Sequence, residues 1–272
     1  MTFIDIIRSS LSHKKRNRRL DNHFDGHLVG APRETYQPSV GLESVQPVRP
    51  EKGGSNGDII WVNGIMTDVA LQKEDMQQAA DTLVKNVIGI HNATEGMSRD
   101  LLQCLKDKAG RGTNPAVESL TKILYNHLSG PENSSLHVVG HSQGALIAGR
   151  SLKKVQKQLR DEGCSAAQAA GLLGGVTLTT LGGAGARFPD GPVYQHVINV
   201  ADPIPMTTGA VGLAGTRPGK GAQHHFFFKT RKPDKSSLPS WKRPVERAAR
   251  MMDQIVHGPR HVYLDQSEWN LI

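Results

Sequence analysis

The chain has 272 residues, of which 37% are hydrophobic, and a formal net charge of +8 at pH 7. This is enough for one domain with a sizeable core plus some less compact chain. Its two cysteines, Cys104 and Cys164, exclude a disulfide framework and fit a reducing compartment, and no stretch approaches the roughly 20 apolar residues of a membrane span.

The first residues, Met1 to Ile7, carry Asp5 inside an apolar run, with basic residues only after it. That is the reverse of a Sec-type secretory signal and predicts a cytoplasmic place in the producing cell. Delivery by a specialised bacterial secretion system would leave no such mark. Residues 1–56 are polar and rich in Gly and Pro, with a basic cluster from Lys14 to Arg19. They are expected to form a disordered or loosely packed arm, an address or a docking point for a protein partner such as an inhibitor or chaperone. The cluster lacks interleaved aromatics, so no nucleic acid is expected.

From residue 57 the pattern changes to alternating strands and helices. Asp58 to Val62 is an apolar run suited to a strand buried on both faces, and it ends at Asn63–Gly64. A helix is predicted from Val69 to Val84, a strand from Asn86 to Ile90 ending in His91–Asn92, and two helices, Ser98 to Lys108 and Pro115 to Leu128. Leu136 to Val139 then runs as a strand into Gly140-His141-Ser142-Gln143-Gly144 and a helix reaching about Arg160. Further strands are predicted at Val176 to Leu181, His196 to Val200 and around Phe226 to Phe228. This alternation predicts an α/β domain over 57–272 with a doubly wound, mostly parallel sheet. In such sheets a site forms at the carboxyl ends of the strands, where Asn63, His91, Ser142 and Asp202 fall.

Ser142 is the candidate nucleophile. Between a buried strand and a helix, its turn forces a strained backbone, and the flanking glycines avoid collisions with neighbouring strand and helix. A serine hydroxyl needs a base, and the base an orienting acid. Asp202, just beyond a strand and followed by Pro203-Ile204-Pro205, is the candidate acid, held in an extended turn by the proline. The base should come later in the chain. His224 and His225 adjoin the last strand, which leaves His257 and His261; His257 is favoured because Gly258 and Pro259 shape an irregular loop able to reach back to the serine. The N–H groups of Gln143 and Ile65 are the candidate oxyanion donors, with Asn63 able to orient their loop through its side chain.

The block Leu136 to Ala148 resembles the nucleophile elbow of α/β-hydrolase lipases. The stretches Val176 to Gly183 and Val197 to Pro205 are similar to the acid-bearing part of the class 3 lipase branch, and Asn63-Gly64-Ile65 with the elbow is similar to lipase-like domains of bacterial effectors and toxins. The resemblance covers about residues 57–205. It implies an α/β-hydrolase fold, lipase or esterase activity with lipid and phospholipid esters as the expected substrates, and a triad of Ser142, Asp202 and a late histidine. Such lipases usually carry His-Gly where this chain has Asn63–Gly64, a departure that leaves the oxyanion geometry intact. The alternatives are a catalytically silent binding module, or a thioesterase or amidase with the same triad.

No H-E-x-x-H or paired C-x-x-C occurs, and Gly212 to Lys220 lacks the Ser or Thr of a P-loop, so neither metal nor cofactor is expected. Between Thr207 and Arg250 stand ten Lys and Arg against Asp234 and Glu246, so the net +8 resides there. Val245 to Val256 has apolar residues at helical spacing, and 233–256 is a candidate cap or interfacial insertion drawn to anionic membrane surfaces.

Overall fold

Side chains that alternate between two apolar layers build the central sheet. In β3 (Asp58–Val62), Ile59 and Trp61 pack into one layer and Ile60 and Val62 into the other. The computed structural model describes residues 22–31, 35–65, 67–93, 114–130, 135–185, 187–209, 211, 216–230 and 257–264. The other strands are β1 (Leu28–Val29), β2 (Thr35–Tyr36), β4 (Asn86–Ile90), β5 (Leu136–His141), β6 (Val176–Leu181), β7 (Val193–Asn199) and β8 (Gln223–Phe227). They form one eight-stranded sheet in the order β2-β1-β4-β3-β5-β6-β7-β8. Strands β3 to β8 are parallel, whereas β1 runs antiparallel to β2 and β4.

Helices flank both faces. On one lie α2 (Pro115–Ser129), α3 (Gln143–Asp161) and α4 (Ala166–Leu173), which bury Leu120, Leu124, Ile147, Leu152, Val155 and Leu173 against the strands. The other is covered by α1 (Val69–Leu83), through Met76, Ala79 and Ala80, and by a π-helical turn, Pro259–Tyr263, whose Val262 and Tyr263 are fully buried with Leu264. Local chemistry sets the helix starts. Asp68 caps α1 by accepting from the Leu71 N–H, Asn114 caps α2 ahead of Pro115, and Ser165 with Gln168 closes a capping box on α4.

The expected loose arm over 1–56 is corrected in its described part. Leu28, Val29, Val45 and Val48 are buried, β1 pairs with β4, and Val48 bridges Val87, so this segment extends the sheet. The longest exposed run of this segment is 51–56, which continues to Asp58. The strand leading to Asp202 stops at Asn199 instead of Val200, because the Asn199 amide donates to Lys229 O (2.7 Å) and its oxygen accepts from the Ala201 and Lys229 N–H groups, which turns the chain. The last strand lies earlier than expected and includes His224 and His225. The predicted helices Ser98 to Lys108 and Val245 to Val256, the basic cluster 14–19 and the candidate cap 233–256 lie outside the described residues. Among the described residues no helix is long and apolar enough to cross a membrane.

His91, His141 and His196 are among the histidines that this packing buries. Burial lowers His91 and His196 to about 4 and His141 to about 3, from an ordinary value near 6.5. The unfolded chain therefore takes up protons first as pH falls. Their contribution to stability is complete above about pH 6.5 and is lost as the pH drops toward 4, at roughly 1.4 kcal/mol per histidine per pH unit. Urea midpoints should be flat near neutrality and fall progressively between pH 6.5 and 4; a constant midpoint over that window would contradict this burial.

Candidate active site

The carboxyl ends of β3, β4, β5 and β7 lie at one end of the parallel sheet, and Ser142 stands at that of β5. It connects β5 directly to α3 with φ 53° and ψ −117°, a region that side-chain-bearing residues rarely adopt. The turn is held from β6: the Ser142 N–H donates to Leu181 O (3.0 Å), and Ser142 O accepts from the Ala184 N–H (2.9 Å). Only glycines fit around it. A Cβ on Gly144 would stand 2.1 Å from Val62 O, and one on Gly140 would stand 2.7 Å from the Ala145 nitrogen.

Asp202 is completely buried and caps a short helix, α5 (Pro203–Thr208). Its own backbone is extended, as a following proline requires, but Pro203 opens a helix where the sequence suggested only a turn. One carboxylate oxygen, Oδ1, accepts from the Ile204 N–H (2.9 Å). The other, Oδ2, accepts from His257 Nδ1 (2.6 Å) and from the Tyr263 hydroxyl (2.7 Å). The acid and the favoured histidine are thus in direct contact. His261 lies within the turn Pro259–Tyr263 that follows.

His257 is fixed through its backbone as well. His141 Nε2 donates to His257 O (2.9 Å), and the two rings lie 4.8 Å apart. Burial, and then the neighbouring His257, holds His141 down to about 3, so it stays neutral and keeps this donor in place. The following turn is clamped to α1: Arg260 pairs with Glu74 and with Asp75 (2.9 Å), Gln78 donates to Arg260 O (3.0 Å) and Thr82 to Leu264 O (3.2 Å).

The loop after β3 passes alongside the serine. A Cβ on Gly64 would come within 2.8 Å of Ser142 Cβ. Asn63 Nδ2 donates to Gly64 O and to Asn92 O, both at 3.0 Å, while Asn63 Oδ1 accepts from the Asn92 N–H (2.7 Å). Asn92 Nδ2 in turn donates to Gln143 Oε1 (2.8 Å). Asn63 therefore orients the loop, and Asn92 ties that loop to the first residue of α3. The Gln143 N–H belongs to the first helical turn, where no intrahelical acceptor exists. Ile65 follows Gly64 and is half-buried. His91 is turned under α1, its Nδ1 on Gln72 Oε1 at 2.7 Å, and takes no part in these contacts.

The chain matches no family model, no curated protein and no solved structure. Among the described residues no group of three or more His, Cys, Asp or Glu could hold a metal ion. Sequence reasoning overlooked the roles of Asn92, His141 and Tyr263. Asn92 and His141 sit at strand ends next to residues that were singled out, which was a usable signal; Tyr263 carried none.

The backbone of Ser142 makes a measurable difference. Ser142→Gly and Ser142→Ala both remove the hydroxyl, but only glycine relieves the positive φ, whose strain is on the order of 1–3 kcal/mol. Ser142→Gly should be the more stable by about 1 kcal/mol in urea unfolding, after the entropy that glycine adds to the unfolded chain. Equal stabilities would mean that no strain is stored there.

Proposed function

We propose that the protein is a serine hydrolase of the α/β-hydrolase kind that cleaves carboxylic esters, with lipid and phospholipid esters as the favoured class. The observation that carries this reading is the strained Ser142 at the same end of the sheet as the buried Asp202–His257 pair. Chain order supports it: nucleophile after β5, acid after β7, histidine after β8, with the second oxyanion loop after β3.

In this mechanism Ser142 Oγ attacks the ester carbonyl carbon while His257 Nε2 takes the hydroxyl proton. Asp202 keeps the other imidazole proton on Nδ1 and stabilises the imidazolium that forms. The Gln143 and Ile65 N–H groups receive the charge on the carbonyl oxygen. Collapse of the intermediate passes the proton from His257 to the leaving alcohol. Water then attacks the acyl-enzyme, with His257 again as base, and releases the acid and free Ser142.

Support for a lipid comes from exposed apolar side chains on both sides of Asp202, Val200 and Met206, and from the cationic stretch between Thr207 and Arg250. Apolar contact and positive charge together suit the surface of an anionic bilayer.

A fluorophosphonate probe should label wild type at Ser142 and leave Ser142→Ala unlabelled and still folded. Turnover of p-nitrophenyl esters should fall at least about a thousandfold in Ser142→Ala and in His257→Ala. Active Ser142→Ala protein would refute the mechanism, and absence of labelling in wild type would leave a binding module. Thioester and amide substrates belong in the same panel, and faster turnover of either would reassign the bond. Wild type should also hydrolyse ester lipid faster in anionic than in neutral vesicles, with the difference shrinking as salt rises.

A further inference from the structure

Asp202 carries one donor more than the proposed relay uses. Tyr263 is fully buried, with its hydroxyl 2.7 Å from the same Oδ2 that receives His257 Nδ1. The direction of this bond is set from behind, because the Asn199 N–H donates to the Tyr263 oxygen (3.3 Å) and leaves the phenolic proton for the carboxylate. The ring is wedged edge-on against Phe227, with centroids 5.5 Å apart at 88°. Gly182, at φ 56°, makes room for the contact: a Cβ there would lie 2.8 Å from both Asp202 Oδ2 and the Tyr263 hydroxyl. The same tyrosine thus closes the turn that begins two residues after His257.

We infer that Tyr263 is a positioning residue for the Asp202–His257 pair: its hydroxyl holds the carboxylate in the orientation that meets His257 and takes up part of the charge on Oδ2. The inference rests on the proposed relay. Burial, with the adjacent Asp202, raises the phenol well above 10, so it remains a donor throughout the working range. A carboxylate whose charge is shared stabilises the imidazolium less, so Tyr263 keeps His257 less basic than a two-membered pair would. The ring of His141 from β5 also faces His257 and stays neutral, and on the turn that follows, Arg260 is engaged by Glu74 and Asp75 of α1.

Tyr263→Phe keeps the ring and deletes the hydroxyl. On a soluble ester it should lower kcat by about tenfold with little change in KM, roughly the effect of one hydrogen bond to a charged group. The acidic limb of kcat/KM, which reports His257 losing its proton, should move to higher pH by about half to one pH unit. Placing 3-fluorotyrosine at 263, a stronger donor, should move the limb the opposite way. The imidazole titration of His257, followed by NMR and assigned by its loss in His257→Asn, should move with the limb in both variants. A loss of activity with the limb and the titration unmoved, or a limb moving to lower pH in Tyr263→Phe, would reduce Tyr263 to packing and overturn the inference. If wild type resists the fluorophosphonate, the hydrolase reading fails by itself, and the His257 titration still decides what Tyr263 does.

Discussion

A carboxylate with no access to water has to be satisfied entirely by protein, and around Asp202 that requirement ties two separate parts of the chain together. Its two oxygens draw on the start of α5, the imidazole of His257 and the phenol of Tyr263. Leaving such a charge unpartnered would cost several kcal/mol, so the segment 257–264 is not free to settle elsewhere on the sheet. Buried Val262, Tyr263 and Leu264 fix the same segment by apolar contact. Polar satisfaction selects its register, and packing supplies most of its adhesion.

Around that centre each catalytic candidate is held by neighbours from a different strand end. Ser142 is strained against β6, His257 is pinned by its backbone to His141 of β5, and the loop of Ile65 is laced by Asn63 and Asn92 to Gln143. Helix α1 links two of these parts, since it begins just after the β3 loop and its outer face grips Arg260 and Leu264. A site assembled from such rigid ends keeps its groups within a narrow range of positions, the condition for an oriented proton relay.

What was legible in the sequence follows from the range of the forces involved. Asn86 to Ile90 and Val176 to Leu181 were expected with the bounds they have, because buried strands stand out as short apolar or β-branched runs. The elbow could be read because its glycines answer clashes within a few residues. The choice of His257 rested on local glycine and proline, whereas the contact with Asp202 spans 55 positions. Tyr263 with Asp202 spans 61 and Asn92 with Gln143 spans 51, and no pattern of neighbouring residues encodes such pairs. The packed part of 22–50 was missed for a related reason: β1 is two residues long, too short to show alternation, and its partner β4 lies far ahead in the chain.

That short antiparallel strand has a consequence for solubility. β4 would otherwise present a row of unpaired N–H and C=O groups along one side of an apolar parallel sheet, a ready template for a second molecule. β1 covers Gly89 and Ile90, the Val48 bridge covers Val87, and Gly26 takes the carbonyl of His91. The leading segment thus works as a selvedge that keeps the weave from being extended by another copy. A protein trimmed back to residue 57 would carry the same candidate catalytic groups, yet expose this border to edge-to-edge growth.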